Sequence, residues 1–446
     1  MAKSLPLSRN FYPNSTTATN YSELNAEFTM PWYRKILAYL IFVPNITLGT
    51  TTPFLGRPEI FPWTAAYALR KDLRPSLAYL LFAGYLVLSY LYFLATGGSA
   101  MIGLRSLMAL LNASVVFFTI LTVGEEELKY VNRAFWVMFG LNVAVSLMQY
   151  FAIFPDFLVR PMNFFIDRWV PVSWEYGRGC SGLFAEPSYH AFGVHHYFAY
   201  AILLMNIKQR SPQGLILIAL MALYDLVIVR SLTGLIIMSV YLISHQDWRK
   251  AWKPVLAFVV AFIIGLGWYG ENFELPRSLE FVYNVVYEER YKDLFEYVMW
   301  EGGIRTVSLM GSYPFGIMHP FGWGLGSWPQ ASITSLLDLG LSEIEVAFFE
   351  MYYSPYDGFR PTAFSADLFL ETGVVGFILF AVAMYPYISP LAMWQNPNTR
   401  AVVVLFLFNM IILGTIGDPL PFLFLALAYR RINPPPSHEP LPIPSP

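Results

Sequence analysis

Long apolar runs separated by shorter polar segments dominate the pattern of the chain. Residues 1–35 begin rich in Ser, Thr and Asn and carry no early apolar stretch, so we expect a polar tail rather than a secretory signal. Twelve runs follow that reach or approach the length needed to cross about 30 Å of hydrocarbon as a helix. They lie at about 36–52, 58–69, 77–95, 101–122, 134–153, 187–207, 213–229, 232–245, 253–269, 367–389, 400–416 and 419–430. The pattern therefore predicts an all-α polytopic membrane protein with about twelve transmembrane helices.

Two of the segments between these runs are too long to be simple connections. Residues 154–186 form one predicted loop, and residues 270–364 form a larger one with mixed charge and apolar patterning. Within the larger loop, 281–300 has the pattern of an amphipathic helix that lies along the membrane interface. The segment 432–446 holds seven prolines and should be an extended tail. The predicted transmembrane helices fall into two blocks, 36–269 and 365–431.

Composition supports a lipid environment. Hydrophobic residues make up 56% of the chain and charged residues 13%, against roughly 25% charged in a soluble domain. The formal net charge of −2 argues against a nucleic-acid binder. The single cysteine, Cys180, excludes an internal disulfide framework and a thiolate metal cluster.

The basic residues predict an orientation. With the N-terminus in the cytoplasm, 17 of the 28 Lys and Arg residues fall on the cytoplasmic side, together with both tails. The two long loops are then outside. Of the 11 basic residues on the outer side, ten are arginine, whose planar fork suits phosphate or carboxylate. These are Arg57, Arg105, Arg160, Arg168, Arg178, Arg230, Arg277, Arg290, Arg305 and Arg360.

A first candidate cluster is the motif GRGCSGLFAEPSYH, at the end of the first long loop. Pro187 fits the first turn of a helix whose N-terminus faces outward. Glu186 and His190 lie one turn apart on that helix, at a depth where charge is costly and therefore suggests function. A helix cap followed by a polar interfacial turn would explain the same residues. Zinc is a third alternative because His195 and His196 are near, although no HExxH spacing is present.

A second cluster is the motif RSLTG between two apolar runs. Arg230 stands next to the N-terminus of the following helix, which Ser231 or Thr233 can cap. The alternative is that Arg230 simply extends to the lipid headgroups.

A third cluster lies in the large loop, where Arg305 precedes the motif HPFGWGLGSW. Its glycines allow the backbone to pass close to a ligand or to another segment, and His319 opens the motif. Turn formation in a soluble loop would also account for these glycines.

A fourth cluster opens the next apolar run. Ser365 has the character of an N-cap, and Asp367 and Glu371 fall on one face of the helix that follows. Gly373 and Gly376 allow tight helix contact. Capping and packing alone would explain this segment too.

Together the four motifs resemble those of the O-antigen polymerase and ligase superfamily of polytopic polysaccharide enzymes. The resemblance is carried by GLFAEPSYHA (182–191), RSLTGL (230–235), HPFGWGLGSW (319–328) and FLETGVVGF (369–377), in that order. The EPSYHA-type segment is more typical of repeat-unit polymerases. Ligases usually carry a His-Asn pair where this chain has Phe-Ser-Ala-Asp before the last motif, a departure that lowers the ligase alternative.

The resemblance implies glycosyl transfer at the outer face of the cytoplasmic (inner) membrane. A glycan on a polyprenyl diphosphate would move to a sugar hydroxyl of another lipid-linked repeat unit, for O-antigen, capsule or exopolysaccharide. Its partners would be polyprenyl-diphosphate-linked oligosaccharides, membrane lipids, a chain-length regulator and a flippase, with no nucleic acid.

Such chemistry needs cationic groups at the diphosphate leaving group and a base for the acceptor hydroxyl. It requires no metal and no cofactor. The candidate substrate-binding residues are Arg178, Arg230, Arg305, Ser231, Asp367 and Glu371. The candidate catalytic residues are Glu186, His190 and His319, with a hydrogen bond expected between the first two.

Two other functions compete with the polymerase. The first is ligase-type transfer of the glycan to a lipid or protein acceptor. The second is a flippase or transporter of lipid-linked oligosaccharides, which would need charged or broken helices near the bilayer midplane. The unusual residues of this chain concentrate at the predicted outer face instead.

Overall fold

The computed structural model describes residues 31–43, 75–166, 169, 171–172, 179–207, 211–245, 248–272, 280, 283–284, 286–288, 294–342, 360–412, 414 and 416–433. Over these residues the protein is all-helical, as predicted. The helices in chain order are α1 (Trp32–Leu40), α2 (Leu77–Ala95), α3 (Ala100–Thr122), α4 (Glu125–Tyr150), α5 (Asp156–Phe165), α6 (Pro187–Leu204), α7 (Pro212–Tyr224), α8 (Leu232–His245), α9 (Trp248–Asn272), α10 (Leu294–Met318), α11 (Trp328–Asp338), α12 (Phe364–Ile388), α13 (Leu391–Gln395), α14 (Pro397–Ile411) and α15 (Leu420–Ile432). A π-helical turn, Asp225–Val229, extends α7.

Five helices of the described chain are long and apolar enough to cross a membrane. They are Leu77–Ala95, Ala100–Thr122, Glu125–Tyr150, Pro212–Val229 and Phe364–Ile388. The predicted number of twelve spans is therefore not confirmed. The run at 58–69 and most of the run at 36–52 lie outside the described residues. Others form shorter apolar helices, such as Pro397–Ile411.

The helix ends group at two ends of the bundle. We call the basic end the one that holds the turn between α3 and α4. There Arg430, near the end of α15, donates to the backbone oxygen of Ile120 at 3.0 Å and pairs with Glu125 at 2.6 Å. At the start of α14, Asn398 donates to the backbone oxygen of Ile207, just beyond α6, and Arg400 to that of Ser244 in α8. These contacts place the end of α15 at the turn between α3 and α4, and the ends of α6 and α8 at the start of α14. The rings of Tyr387, near the end of α12, and Tyr429 on α15 are 5.3 Å apart, which joins the two groups at one end.

We call the opposite end the upper end. The Arg230 guanidinium, which follows the π-helical turn, lies 5.7 Å from the ring centre of Tyr150 at the end of α4. The Cys180 amide donates to the backbone oxygen of Ile228 at 2.9 Å and so joins the segment before α6 to that turn. The starts of α6 and α8 thus lie together, as the predicted alternation of helix directions requires.

Helix α12 reverses direction at Gly373. This glycine has φ 66° and ψ −174°, outside the helical region. Phe364 and Phe380 have ring centres 4.7 Å apart, although 16 residues of straight helix would separate them by about 24 Å. Phe369 and Phe377 pair in the same way at 4.9 Å. The 25 residues therefore form a hairpin of two helical segments rather than one straight span.

The tip of this hairpin points toward the upper end. Along α2, which rises toward that end, Phe82 contacts Phe380 while the Tyr85 hydroxyl donates to the backbone oxygen of Thr372. Gly373 therefore lies nearer the upper end than Phe380 does. The segment before Gly373 rises from the interior of the bundle, and the segment after it descends.

The centre of the bundle is packed around α15. Residues 420–428 are all buried, and the Phe424 ring lies between 5.1 and 6.2 Å from five other rings. In lipid, apolar burial alone does not drive helices together, so close packing of this kind must supply the association.

Candidate functional site

His190 lies in a fully buried polar centre at the start of α6. Pro187 occupies the first turn of this helix, as predicted. The Nδ1 atom of His190 lies 2.8 Å from the backbone oxygen of Cys180, so Nδ1 carries the proton and donates. Its Nε2 atom lies 3.0 Å from Nδ2 of Asn142 and 3.2 Å from the Tyr224 hydroxyl. The Asn142 amide is oriented because its Oδ1 accepts from the Leu183 amide at 2.9 Å.

The predicted hydrogen bond between Glu186 and His190 is wrong. Both ring nitrogens of His190 are used by the partners named above, on α4, α7 and the segment before α6. The Glu186 carboxylate instead accepts from the Ser188 hydroxyl at 2.9 Å. The cause is the inward rotation of the imidazole, which is 0% exposed. The catalytic roles of Glu186 and His190 stay predictions.

The other two histidines of α6 also use Nδ1 on backbone oxygens. His195 pairs with Ala191 and His196 with Phe192, and Nε2 of His196 lies 2.8 Å from Nδ2 of Asn409. Within the described ranges, no group of three or more His, Cys, Asp or Glu is placed to hold a metal ion.

The structure brings the first and second motifs together. A Cβ at Gly179 would overlap the backbone oxygen of Val229, so only glycine allows this approach. Arg230 adopts the left-handed conformation at φ 49° and ψ 45°, and its amide donates to the backbone oxygen of Asp225 at 2.8 Å. Its Nε donates to the backbone oxygen of Val227 at 3.0 Å. Ser231 accepts the Leu235 amide at its backbone oxygen and so stands at the N-terminus of α8, as predicted.

A second polar centre, which we call the carboxyl–arginine cluster, consists of Arg105, Ser106, Arg360, Asp367 and Glu371. Arg360 makes a two-point contact with Asp367, with Nε and Nη2 at 3.2 and 3.1 Å from the two carboxylate oxygens. Nη2 also donates to the Ser106 hydroxyl at 3.1 Å, and that hydroxyl donates to Glu371 at 2.8 Å. The prediction that Asp367 and Glu371 share a face is confirmed.

The charged side chains of this cluster lie inside the apolar helix bundle. Asp367 and Glu371 are each 0% exposed, and Ser106 is six residues into α3, about 9 Å from its first residue. Burial lowers the pKa of the Arg360 guanidinium, but the negative charges of Asp367 and Glu371 outweigh this and hold that pKa above its usual value. Arg360 therefore stays charged.

The cluster retains unused hydrogen-bonding groups. Arg105 is close enough to Arg360 for their positive charges to interact, and its buried Nε has no hydrogen-bond partner among the described residues. Oε2 of Glu371 likewise has none there. Two neighbouring guanidinium groups with a free donor form a place where an anion would be stabilised.

The third motif packs on the fourth, and this contact forms one wall of the cluster. The Gly324 amide donates to the backbone oxygen of Glu371 at 3.0 Å, and the Val375 amide to that of Pro320 at 3.1 Å. A Cβ at Gly322 would overlap the backbone oxygen of Glu371, which confirms the predicted close backbone approach of this motif. Ring contacts hold the His319 imidazole, whose centre is 4.4 Å from that of Phe315.

Three predicted positions differ from expectation or remain open. Ser365 is not the N-cap of α12, because the helix begins at Phe364 and its N-cap is Ala363. The Ser365 hydroxyl donates to the backbone oxygen of Met410 instead. Arg178 lies outside the described residues. Arg305 lies in α10, and its side chain is outside the described part.

Sequence reasoning assigned none of Asp225, Arg105 and Arg360 to a site, although the two arginines were among the outer basic residues whose fork suits phosphate. Asp225 and Arg105 are charges inside apolar runs, a signal that could have identified both. Arg360 carried no such signal, since only the fold brings it beside Asp367. The motifs thus meet in two pairs, the first with the second and the third with the fourth.

Comparison with family models, with curated proteins and with solved structures finds no match to this chain.

Proposed function

We propose that this protein is a repeat-unit polymerase of surface polysaccharide. It would transfer a glycan from a polyprenyl diphosphate to a sugar hydroxyl of another lipid-linked repeat unit, at the outer face of the cytoplasmic membrane. The observation that carries this proposal is the pair of guanidinium groups, Arg105 and Arg360, beside two buried carboxyl groups. The order of the four motifs in the sequence supports the same reaction.

The reaction separates charge in a way that this pair can stabilise. As the glycosyl–oxygen bond breaks, negative charge develops on the diphosphate. The positive charges of Arg105 and Arg360 repel each other, so a diphosphate that contacts both groups would be stabilised, and Asp367 keeps Arg360 oriented for such a contact. In a site of low dielectric this interaction is far stronger than in water.

Reconstitution tests the proposed reaction directly. Purified protein in lipid vesicles should convert lipid-linked repeat units, isolated from a strain that lacks this protein, into a ladder of longer glycans on lipid. A single transfer onto an added lipid or protein acceptor, without a ladder, would instead identify a ligase. The absence of any glycosyl transfer would contradict both enzymes.

The reversal of α12 favours one competing function. Helices broken inside the bundle, with charges beside the break, are the feature expected of a transporter or flippase. The same vesicles distinguish it, because a flippase would move a fluorescent lipid-linked oligosaccharide between leaflets without lengthening its glycan. The polymerase proposal expects a ladder and no faster movement than in vesicles without protein.

A further inference from the structure

Asp225 is a buried carboxyl group that the reaction described above does not use. It begins the π-helical turn at the end of α7 and is 1% exposed. Neither carboxyl oxygen has a hydrogen-bond partner among the residues that the structure describes. π-helical turns inside α-helices occur frequently at functional sites, and an ionisable group in an apolar span suggests function.

The next helix leaves room for this carboxyl group. Gly234 lies in the first turn of α8, and a Cβ there would overlap Oδ1 of Asp225. Any other residue at position 234 would therefore displace the carboxyl group. Gly234 in the RSLTG motif accordingly maintains the position of Asp225 rather than only easing a turn.

The neighbouring described groups do not neutralise Asp225. The Arg230 side chain is exposed, donates to the backbone oxygen of Val227 and lies over the Tyr150 ring. The Tyr224 hydroxyl lies 3.2 Å from Nε2 of His190. A buried carboxyl group without donors is costly, so a merely structural role would leave no reason to keep both oxygens free.

We propose that Asp225 binds the acceptor sugar through its hydroxyl groups and accepts the proton of the reacting one. Two neighbouring hydroxyls of a sugar can donate to the two oxygens of one carboxylate, whereas a hard cation would need several more oxygen ligands. No metal-binding group of three or more acidic, His or Cys residues stands among the described residues. This inference rests on the proposed function.

The proposed reaction is a substitution at the anomeric carbon of the donor glycan. The acceptor oxygen forms a bond to the anomeric carbon of the donor glycan while the bond from that carbon to the diphosphate oxygen breaks. The electron pair of the broken bond leaves with the diphosphate, and the hydroxyl proton passes to the Asp225 carboxylate.

The test compares Asp225→Asn with Asp338→Asn, which changes an exposed aspartate at the end of α11. The probes are lipid-linked repeat units isolated from a strain that lacks this protein, and the full chain is used in vesicles. Asp225→Asn should lower transfer at least about 100-fold, the lower end of a general-base contribution, with binding of the donor changed less than twofold. Asp338→Asn should match the original chain, and Gly234→Ala should fall with Asp225→Asn.

The outcomes separate the two proposals. If the original chain and Asp225→Asn give equal ladders of glycans, the role of Asp225 is overturned and the polymerase proposal stands. If the original chain gives no ladder, both the polymerase proposal and the role of Asp225 are overturned. If glycosyl transfer depends on added Na⁺ in the original chain but not in Asp225→Asn, Asp225 binds a cation and not the sugar hydroxyl groups, and the proposal is overturned.

A second measurement uses the unmodified protein, so its result does not depend on whether the variants fold. An apolar carbodiimide should label Asp225 in the unmodified protein, and saturating repeat units should slow that labelling at least tenfold. Labelling at an unchanged rate would overturn the proposal.

Discussion

His190 joins three parts of the bundle through one ring. Its two nitrogens link α6 to Asn142 on α4, to Tyr224 on α7 and to the backbone of Cys180. The sequence placed His190 on a helix near its N-terminus, and that position is correct. The partners were not predictable, because α4 and α7 are distant in the chain and approach only in the folded bundle.

This bonding predicts the result of His190→Ala. Removal of the ring leaves buried partners unsatisfied and opens a cavity, so we expect a loss of about 2–4 kcal/mol of stability. Thermal unfolding in detergent measures it, with His319→Ala as the matched control because that ring is only partly buried and contacts mainly Phe315 and Trp323. A His190→Ala protein of normal stability but without transfer would instead assign His190 a direct part in the chemistry.

The carboxyl–arginine cluster shows what local spacing can predict. Asp367 and Glu371 are four residues apart on a helix, so their common face followed from the sequence. Arg360 lies outside that helix, and Arg105 comes from α3. Their approach depends on how α3 packs beside the rising segment of α12, which spacing along the chain does not encode.

At the scale of elements, the hairpin of α12 is the main departure from prediction. The apolar run at 367–389 has the length and hydropathy of a single span, and such averages carry no information on chain direction. Gly373 was expected to support helix packing. It provides instead the positive φ at which the chain reverses, and its position against the backbone of Pro320 leaves no space for a side chain.

We therefore predict that Gly373→Ala is strongly destabilising. A Cβ would strain the backbone and overlap the Pro320 oxygen, at a combined cost of roughly 2 kcal/mol or more. Gly140→Ala on α4 is the matched control, because Gly140 is helical and has open space around it. That change should be neutral or stabilise by about 0.5–1 kcal/mol. Equal unfolding temperatures for the two variants would contradict the reversal at Gly373.

In the molecule as a whole, the described helix ends lie at two opposite ends of the bundle, and the orientation that the basic residues indicated stays a prediction. Arg430 and Arg400 make their contacts at the basic end, while the four motifs gather toward the upper end. The all-helical fold class could thus be predicted from the apolar runs and the composition. The number of spans could not be predicted, because several runs form helices too short to cross a membrane alone.

Cysteine labelling tests this arrangement in cells. In a Cys180→Ala background, Ser99→Cys marks the upper end and Glu126→Cys the basic end; both positions are exposed. A membrane-impermeant maleimide should label Ser99→Cys in intact cells and Glu126→Cys only after permeabilisation. Labelling of both in intact cells would contradict the opposed ends.

We propose that Arg105 and Arg360 bind the diphosphate of the lipid donor. The most direct test is the affinity of the purified protein for an unglycosylated polyprenyl diphosphate, compared with the monophosphate. Lysine at either position keeps the charge but loses the planar fork, so Arg105→Lys and Arg360→Lys should each weaken diphosphate binding at least tenfold. Arg133→Lys, at an exposed position on α4, should leave it unchanged. Equal affinities in all three variants and the original chain would contradict a diphosphate site at Arg105 and Arg360.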